Sequence, residues 1–249
     1  MFLLKFYLLP LFLAIICSTS WLVFFYFYTP KKTTKTSFLL KSLFFGVCLG
    51  IITSAVEFFL IKKTFFLFNI SPVLFTYFQN FKQIIIVGVF SFLIIAPIEE
   101  LFKFLFLIQF FSKRKNFFDQ VVDGIKVGSW FGLGFVLTEN YLCFLNHFWT
   151  LPFKEFFWIF LVRLFISTLA HALYGSIAGY YLILSRFSKE KKDLFLKEGV
   201  LTCLLFHGSF NFLLFTPFSL PSLFLLSLAL IVVIAWFHQK RNLEFKKLD

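Results

Sequence analysis

Two adjacent glutamates, Glu99 and Glu100, a third at Glu139, and histidines at His171 and His207 stand inside runs of otherwise apolar residues. Carboxylates and imidazoles in such surroundings are expensive to bury, and they mark a functional site by default. Together these groups can take up and return protons, hold a water molecule, or bind a cation. Their neighbours add to the set. Lys103 follows Glu99 by four residues and Asn211 follows His207 by four, so each pair shares one helix face. Arg163 precedes His171 by eight residues, and Asp123 opens the run that leads to Glu139.

The elements that must position these groups follow from composition. The chain has 249 residues, of which 60% are hydrophobic and 14% charged, with a mean hydropathy of +0.89. Soluble domains are about 45–50% apolar and about 25% charged. A water-soluble globule, a disordered chain and a coiled coil are therefore poor fits. The expected fold is all-α, a polytopic transmembrane helical bundle forming a single integral membrane domain over residues 1–249, because helices satisfy every backbone polar group in lipid. Seven segments are apolar enough to span: Phe2–Tyr28, Ser37–Ile61, Gln83–Phe111, Val121–Trp149, Phe156–Leu184, Gly199–Phe215 and Ser222–Phe237. The first is too long for a signal peptide and lacks a small-residue cleavage site, so it reads as a span.

The net charge of +12 would suggest nucleic acid in a soluble protein. Here it is distributed by loop. Lys31, Lys32 and Lys35, then Lys113, Arg114 and Lys115, then Arg186, Lys189, Lys191, Lys192 and Lys197, and finally Lys240, Arg241, Lys246 and Lys247 fall on one side. Only Lys62, Lys63, Lys82 and Lys154 fall in the alternate loops. Basic loops stay in the cytoplasm, which puts the N-terminus outside and the C-terminus inside. The expected partner is the lipid bilayer, with no nucleic acid. The cysteines Cys17, Cys48, Cys143 and Cys203 sit singly in apolar runs and read as small buried hydrophobes.

Depth ties the polar groups together. Glu99 lies ~21 Å of helix before Lys113, His171 ~22 Å before Arg186, His207 ~14 Å after Glu198, and Glu139 ~15 Å before Trp149. In a core about 30 Å thick all four reach the middle part, on four different helices. Gly124, Gly128 and Gly132 repeat every four residues and permit close helix packing, and Glu139 continues nearly the same face. The glycines themselves read as packing. Of Glu99 and Glu100, about 100° apart on a helix, one faces the site centre and the other orients a partner. Pro97 removes a backbone hydrogen bond just before them. Asp123 and Lys126 read as a cap and a snorkelling residue, Glu57 and Lys41 receive no role, and His147 and His238 read as solvated.

The ordered set Pro97-Ile98-Glu99-Glu100-Leu101-Phe102-Lys103, Asp123-Gly124 through Glu139-Asn140, Arg163 through His171-Ala172 and Gly175, and His207-Gly208 through Asn211 resembles the PrsW family of intramembrane proteases. That family is similar to the CAAX-processing and bacteriocin-immunity type of membrane endopeptidases. The resemblance covers about residues 90–212, the motif-bearing core. It implies a protease of the bacterial cytoplasmic membrane that cuts membrane-tethered proteins, with anti-sigma-factor-like substrates. Catalytic roles fall on Glu99, Glu100, His171 and His207, with Glu139 and Asn211 in support, and structural support comes from Lys103, Asp123, Arg163, Gly128 and Gly132.

Two mechanisms are open. A glutamate can act as general base on water, with a histidine and Asn211 holding the water and the oxyanion. Alternatively, His171, His207 and Glu99 bind Zn2+, leaving an open position for water. No HExxH helix is present, and the sequence leans toward the metal-independent route, with no cofactor. A transporter or proton-relay protein also gathers carboxylates and histidines at mid-membrane. Such folds break helices in both halves, and the sequence signals one break, at Pro97. A bis-histidine haem site suits two adjacent glutamates poorly.

Overall fold

The computed structural model describes residues 2–28, 34–67, 81–112, 120–188 and 190–214, together with five isolated helical positions between 224 and 235. The elements are α1 (Phe2–Tyr28), α2 (Thr36–Leu67), α3 (Phe81–Val89), α4 (Ala96–Ser112), α5 (Val121–His147), α6 (Phe153–Val162), α7 (Thr168–Phe187) and α8 (Lys192–Leu214). α3 runs into α4 through a π-helical segment, Phe90–Ile95, and α6 runs into α7 through another, Arg163–Ser167. No strand is present among the described residues. Five helical stretches are long and apolar enough to cross a membrane: Phe6–Phe27, Thr36–Thr64, Gln83–Phe111, Val121–His147 and Phe153–Phe187. The expected sixth span falls within α8, whose first turns carry Lys192, Asp193, Lys197 and Glu198. The expected seventh, Ser222–Phe237, lies outside the described residues apart from the isolated positions.

α5 is the axis of the bundle. It is the least apolar of the five stretches, yet 94% of its span window is buried, against 22–44% for the others. The two facts have one cause. A helix that contacts only other helices needs small residues for close approach, whereas Phe and Leu suit a lipid-facing surface. The outer helices accordingly expose Phe27, Phe44, Phe59, Leu93 and Phe153. α5 packs most extensively on α7, then on α2 and α1.

The glycine stripe makes the α5–α7 contact. A Cβ at Gly128 would run into the Gly175 carbonyl, and one at Gly175 into the Gly128 carbonyl. On the opposite side of α5, Gly134 meets the Leu43 carbonyl of α2. Hydroxyl groups stitch the same helices. Ser42 Oγ donates to the Val127 carbonyl at 2.7 Å, Thr138 Oγ1 to the Val47 carbonyl at 3.1 Å, and Ser18 Oγ to the Leu133 carbonyl at 3.2 Å.

The π segments have identifiable causes. Pro97 has no N–H to give, and its ring crowds the preceding turn. The chain accommodates it by widening that turn, so the Ala96 N–H bonds Ser91 O, five residues back. At the second segment the Thr168 N–H bonds Arg163 O, again five back, and Thr168 Oγ1 donates to the same carbonyl at 2.5 Å. The sequence marks the first break with a proline. The second has no such signal, because a threonine hydroxyl and tertiary packing produce it.

Replacing Gly128 by Leu is expected to abolish the α5–α7 contact and lower the melting temperature by about 10 °C or more. Gly88→Ala is expected to be tolerated, since its Cβ would meet only the Phe212 ring at 3.6 Å. Thermal unfolding of both variants in detergent checks the pair.

Candidate active site

Four helices supply the polar groups. α4 begins right after the first π segment and places Glu99, Glu100 and Lys103 on its inner side. α7 begins right after the second and places His171 there. In each case the residue stands four positions beyond the segment's last residue. Such widened turns re-aim the residues that follow and recur at functional sites. α5 contributes Glu139 and α8 contributes His207 and Asn211.

The Lys103 ammonium is the hub. Its Nζ donates to Glu99 Oε2 at 3.0 Å and Glu100 Oε1 at 2.9 Å, and lies 3.1 Å from His171 Nδ1. It also sits 4.0 Å from the centroid of the Phe135 ring, a cation–π contact. Lys103, Glu100 and His207 are all at most 1% exposed. At that burial the ion pairs survive only because each charge is met by several partners.

The two glutamates have different neighbours. Glu100 Oε1 lies 2.7 Å from His207 Nδ1, an arrangement that holds the ring and turns Nε2 away from Glu100. Glu99 faces the interior of the site. Its Oε1 is 3.9 Å from His207 Nε2, and its Oε2 is 3.8 Å from His171 Nδ1. The other edge of His171 meets α5, with Nε2 3.2 Å from Glu139 Oε2. Arg163 Nη1 lies 3.5 Å from the same Glu139 oxygen. Aromatic rings fix the imidazoles. Phe135 stacks on His171 with centroids 5.6 Å apart, and Tyr174 stacks on His207 at 5.1 Å.

These groups border a cavity of about 620 Å³. Glu99, Glu139, Arg163, His171, His207 and Asn211 all line it. Glu100 and Lys103 stand behind the wall. The cavity extends along the C-terminal part of α5, past Cys143 and His147, to Trp158 on α6.

Asp123 lies elsewhere, at the start of α5. Its Oδ2 accepts the Gln120 N–H at 3.2 Å and its Oδ1 accepts the Thr34 hydroxyl. It caps the helix. Lys126 is buried near it rather than snorkelling. Gly128 and Gly132 form the α7 contact, and Gly132 abuts the His171 carbonyl.

Sequence reasoning missed three cavity residues. The sequence assigns Glu57 no role and reads His147 as solvated and Cys143 as a buried hydrophobe, yet all three line the cavity. Glu57 carries a usable signal, being the one acid in the apolar run from Ser37 to Ile61.

A donor set for a metal is present. Glu99, His171 and His207 each offer one ligand atom, all within 4.8 Å of one another. The His207–Glu100 contact is the carboxylate–imidazole pairing that orients metal-bound histidines. Two imidazoles and one carboxylate fit a catalytic zinc and leave a position open.

Comparison with known proteins gives the same answer as the motifs. The family model described as "PrsW family intramembrane metalloprotease" matches residues 34–237. The chain belongs to that family. Protease PrsW of Clostridioides difficile (strain 630) is 29% identical over 208 residues, 83% of this chain and 76% of its own. Protease PrsW of Bacillus subtilis (strain 168) is 31% identical over 160 residues, covering 62% and 69% of the two chains. Protease PrsW of Oceanobacillus iheyensis is 33% identical over 143 residues, covering 57% and 61%. No solved structure matches. The PrsW family model takes in both π segments, all four polar helices, and α2 with Glu57.

Lys103→Met is expected to destabilise the protein by about 3–5 kcal/mol, because it leaves buried carboxylates without their cation. Adding Glu100→Gln is expected to recover part of that loss. Unfolding of the two single variants and the double variant in detergent forms the cycle that checks it.

Proposed function

We propose that this cavity is the active site of an endopeptidase that hydrolyses peptide bonds of membrane-tethered proteins, anti-sigma-factor-like in kind. The observation that carries the reading is the convergence of Glu99, Glu139, His171 and His207 on one cavity inside an apolar bundle. Membership of an intramembrane metalloprotease family supports it.

Glu99, His171 and His207 would hold a divalent metal, Zn2+ by its preference for two imidazoles and a carboxylate, and it would supply Lewis-acid polarisation and an acidified water. This reverses the preference for metal-independent chemistry drawn from the sequence. The ligand geometry and the His207–Glu100 pairing are what favour the change.

The chain's own residues then divide the remaining work. Glu100 and Lys103 stand behind the cavity wall and keep Glu99 and the two imidazoles in place. With Glu99 assigned as a ligand, Glu139, in contact with His171, is the cavity-lining carboxylate placed for proton transfer. It takes a proton from the attacking water as the oxygen–carbon bond forms, and returns it to the amide nitrogen as the carbon–nitrogen bond breaks. Arg163 holds Glu139 in position from the far side. Asn211, one turn beyond His207 on the cavity wall, donates its amide N–H to the developing oxyanion. The apolar rings of Phe135 and Tyr174 restrict the motion of the imidazoles.

A transport or proton-relay role is the weaker reading, because the chain belongs to a protease family. The basic-loop asymmetry further supports a bacterial cytoplasmic membrane protein with its N-terminus outside and C-terminus inside. In that orientation the cavity opens toward the outer half, where α5 ends.

Co-expression with tagged single-pass membrane proteins tests the function. Glu99→Gln, Glu100→Gln, His171→Ala and His207→Ala are each expected to lower cleavage by at least about 100-fold at normal expression. Persistent cleavage in every variant sinks the protease reading. A strong chelator is expected to stop wild-type cleavage in detergent, with activity returning on added zinc, and activity that survives chelation argues for the metal-independent route.

A further inference from the structure

α2 presents a polar strip to the active-site cavity. Ser54 and Glu57 are three residues apart, share a helix face, and both line the cavity. Their neighbours Ile51, Ile52, Phe58, Phe59 and Leu60 are exposed on the lipid-facing side. The Glu57 carboxyl shares a hydrogen bond with that of Glu99 and lies within electrostatic reach of Glu139 and Lys103.

Glu57 differs from the other site glutamates in its partners. Glu99 and Glu100 pair with Lys103, and Glu139 pairs with Arg163. Among the described residues no cation lies within ion-pairing distance of Glu57. Its Oε1 is buried and has no hydrogen-bond partner among them, as is true of Glu100 Oε2, but of the two only Glu57 lines the cavity. An acceptor buried without a donor costs stability. The orphan therefore calls for a donor that enters with a ligand.

The ligand of this cavity is a peptide, and it brings N–H donors. A substrate span must open its helix at the cleaved bond, and the freed amide groups find no water in the bilayer core. A basic side chain near that bond carries the same kind of donor with a full charge. We propose that Glu57, flanked by Ser54, forms a substrate subsite that accepts an N–H donor of the bound peptide, from a Lys or Arg side chain or from an unwound backbone amide. The subsite rests on the protease reading above. Glu57 acts by contact with the substrate, outside the residues that carry the hydrolytic step.

The test uses full-length protein in detergent and a panel of fluorescent single-span peptides. Each peptide carries one Lys, or norleucine in its place, at successive positions of its outer half. Binding is read by anisotropy and cleavage by mass spectrometry, for wild type, Glu57→Gln and Glu57→Ala. Glu57→Ala is expected to weaken binding about tenfold or more. Loss confined to the Lys peptides, in both variants, identifies a basic side chain as the donor. Loss that is equal across the panel in Glu57→Ala and restored in Glu57→Gln, which keeps a carbonyl acceptor, identifies a backbone amide. Unchanged binding in both variants overturns the subsite. So does an equal loss in both variants across the panel, or a wild type that binds no peptide. The near-isosteric Glu57→Gln keeps the basic-residue arm readable if Glu57→Ala fails to fold. Cleavage without dependence on Glu57 sinks the subsite and leaves the protease reading standing, whereas Glu57-dependent binding without cleavage does the reverse.

Discussion

One ammonium group organises the site. Water cannot compensate charges deep in an apolar bundle, so every ion must find its partners within the protein. Lys103 meets that demand for Glu99, Glu100 and His171 at once, with the Phe135 ring as a fourth contact. The three carboxylate and imidazole groups arrive from two different helices. Their relative position is therefore set by a single donor whose own position is fixed by packing on α5. Glu100 extends the chain of contacts to His207 on α8. From one lysine the network reaches three of the four helices that carry the polar groups.

Glu139 on α5 joins from the other side, and backbone packing brings it there. The mutual glycine contact of α5 and α7 brings their axes as close as backbones allow, and Gly132 abuts the carbonyl of His171 itself. Two turns further along α5, Glu139 then meets the His171 ring. A bulky residue in the stripe would move that carboxylate away before it changed any charge. The π segments do the complementary work along each helix axis. They shift the register just ahead of Glu99 and just ahead of His171, so that both side chains turn inward together.

The parts legible in the sequence are those with a local signature. Helix ends at Tyr28 and near Val121 follow from charge and apolarity, and the described termini of α1 and α5 coincide with them or nearly so. The common level of Glu99, Glu139, His171 and His207 is legible, because depth depends only on counting residues from the loops. Which partner each group meets could not be read that way. The contact of Lys103 with His171 joins residues 68 positions apart, and nothing in either local motif encodes it. The second π segment was hidden for a similar reason. Proline announces the first, while the second rests on Thr168, whose hydroxyl bonds Arg163 O and accepts from Asn140. Glu57 is visible as a lone acid but belongs to no motif. A group that touches the substrate needs no partner sequence around it.

That last point separates two kinds of residue in this cavity. Hydrolysis makes the same demands on any peptide bond, so the groups that perform it must hold each other in a fixed geometry. They sit on α4, α5, α7 and α8, and each carboxylate and imidazole among them is paired within the protein. Recognition must instead leave a bond unmade until the substrate arrives. Glu57 has that character, with one oxygen buried and unpartnered on a helix whose neighbouring residues Phe58, Phe59 and Leu60 are exposed and apolar. It lies outside the four motifs that identify the chemistry. Changes at such a position can redirect the enzyme to a different peptide without disturbing the lysine-centred network that makes cleavage possible.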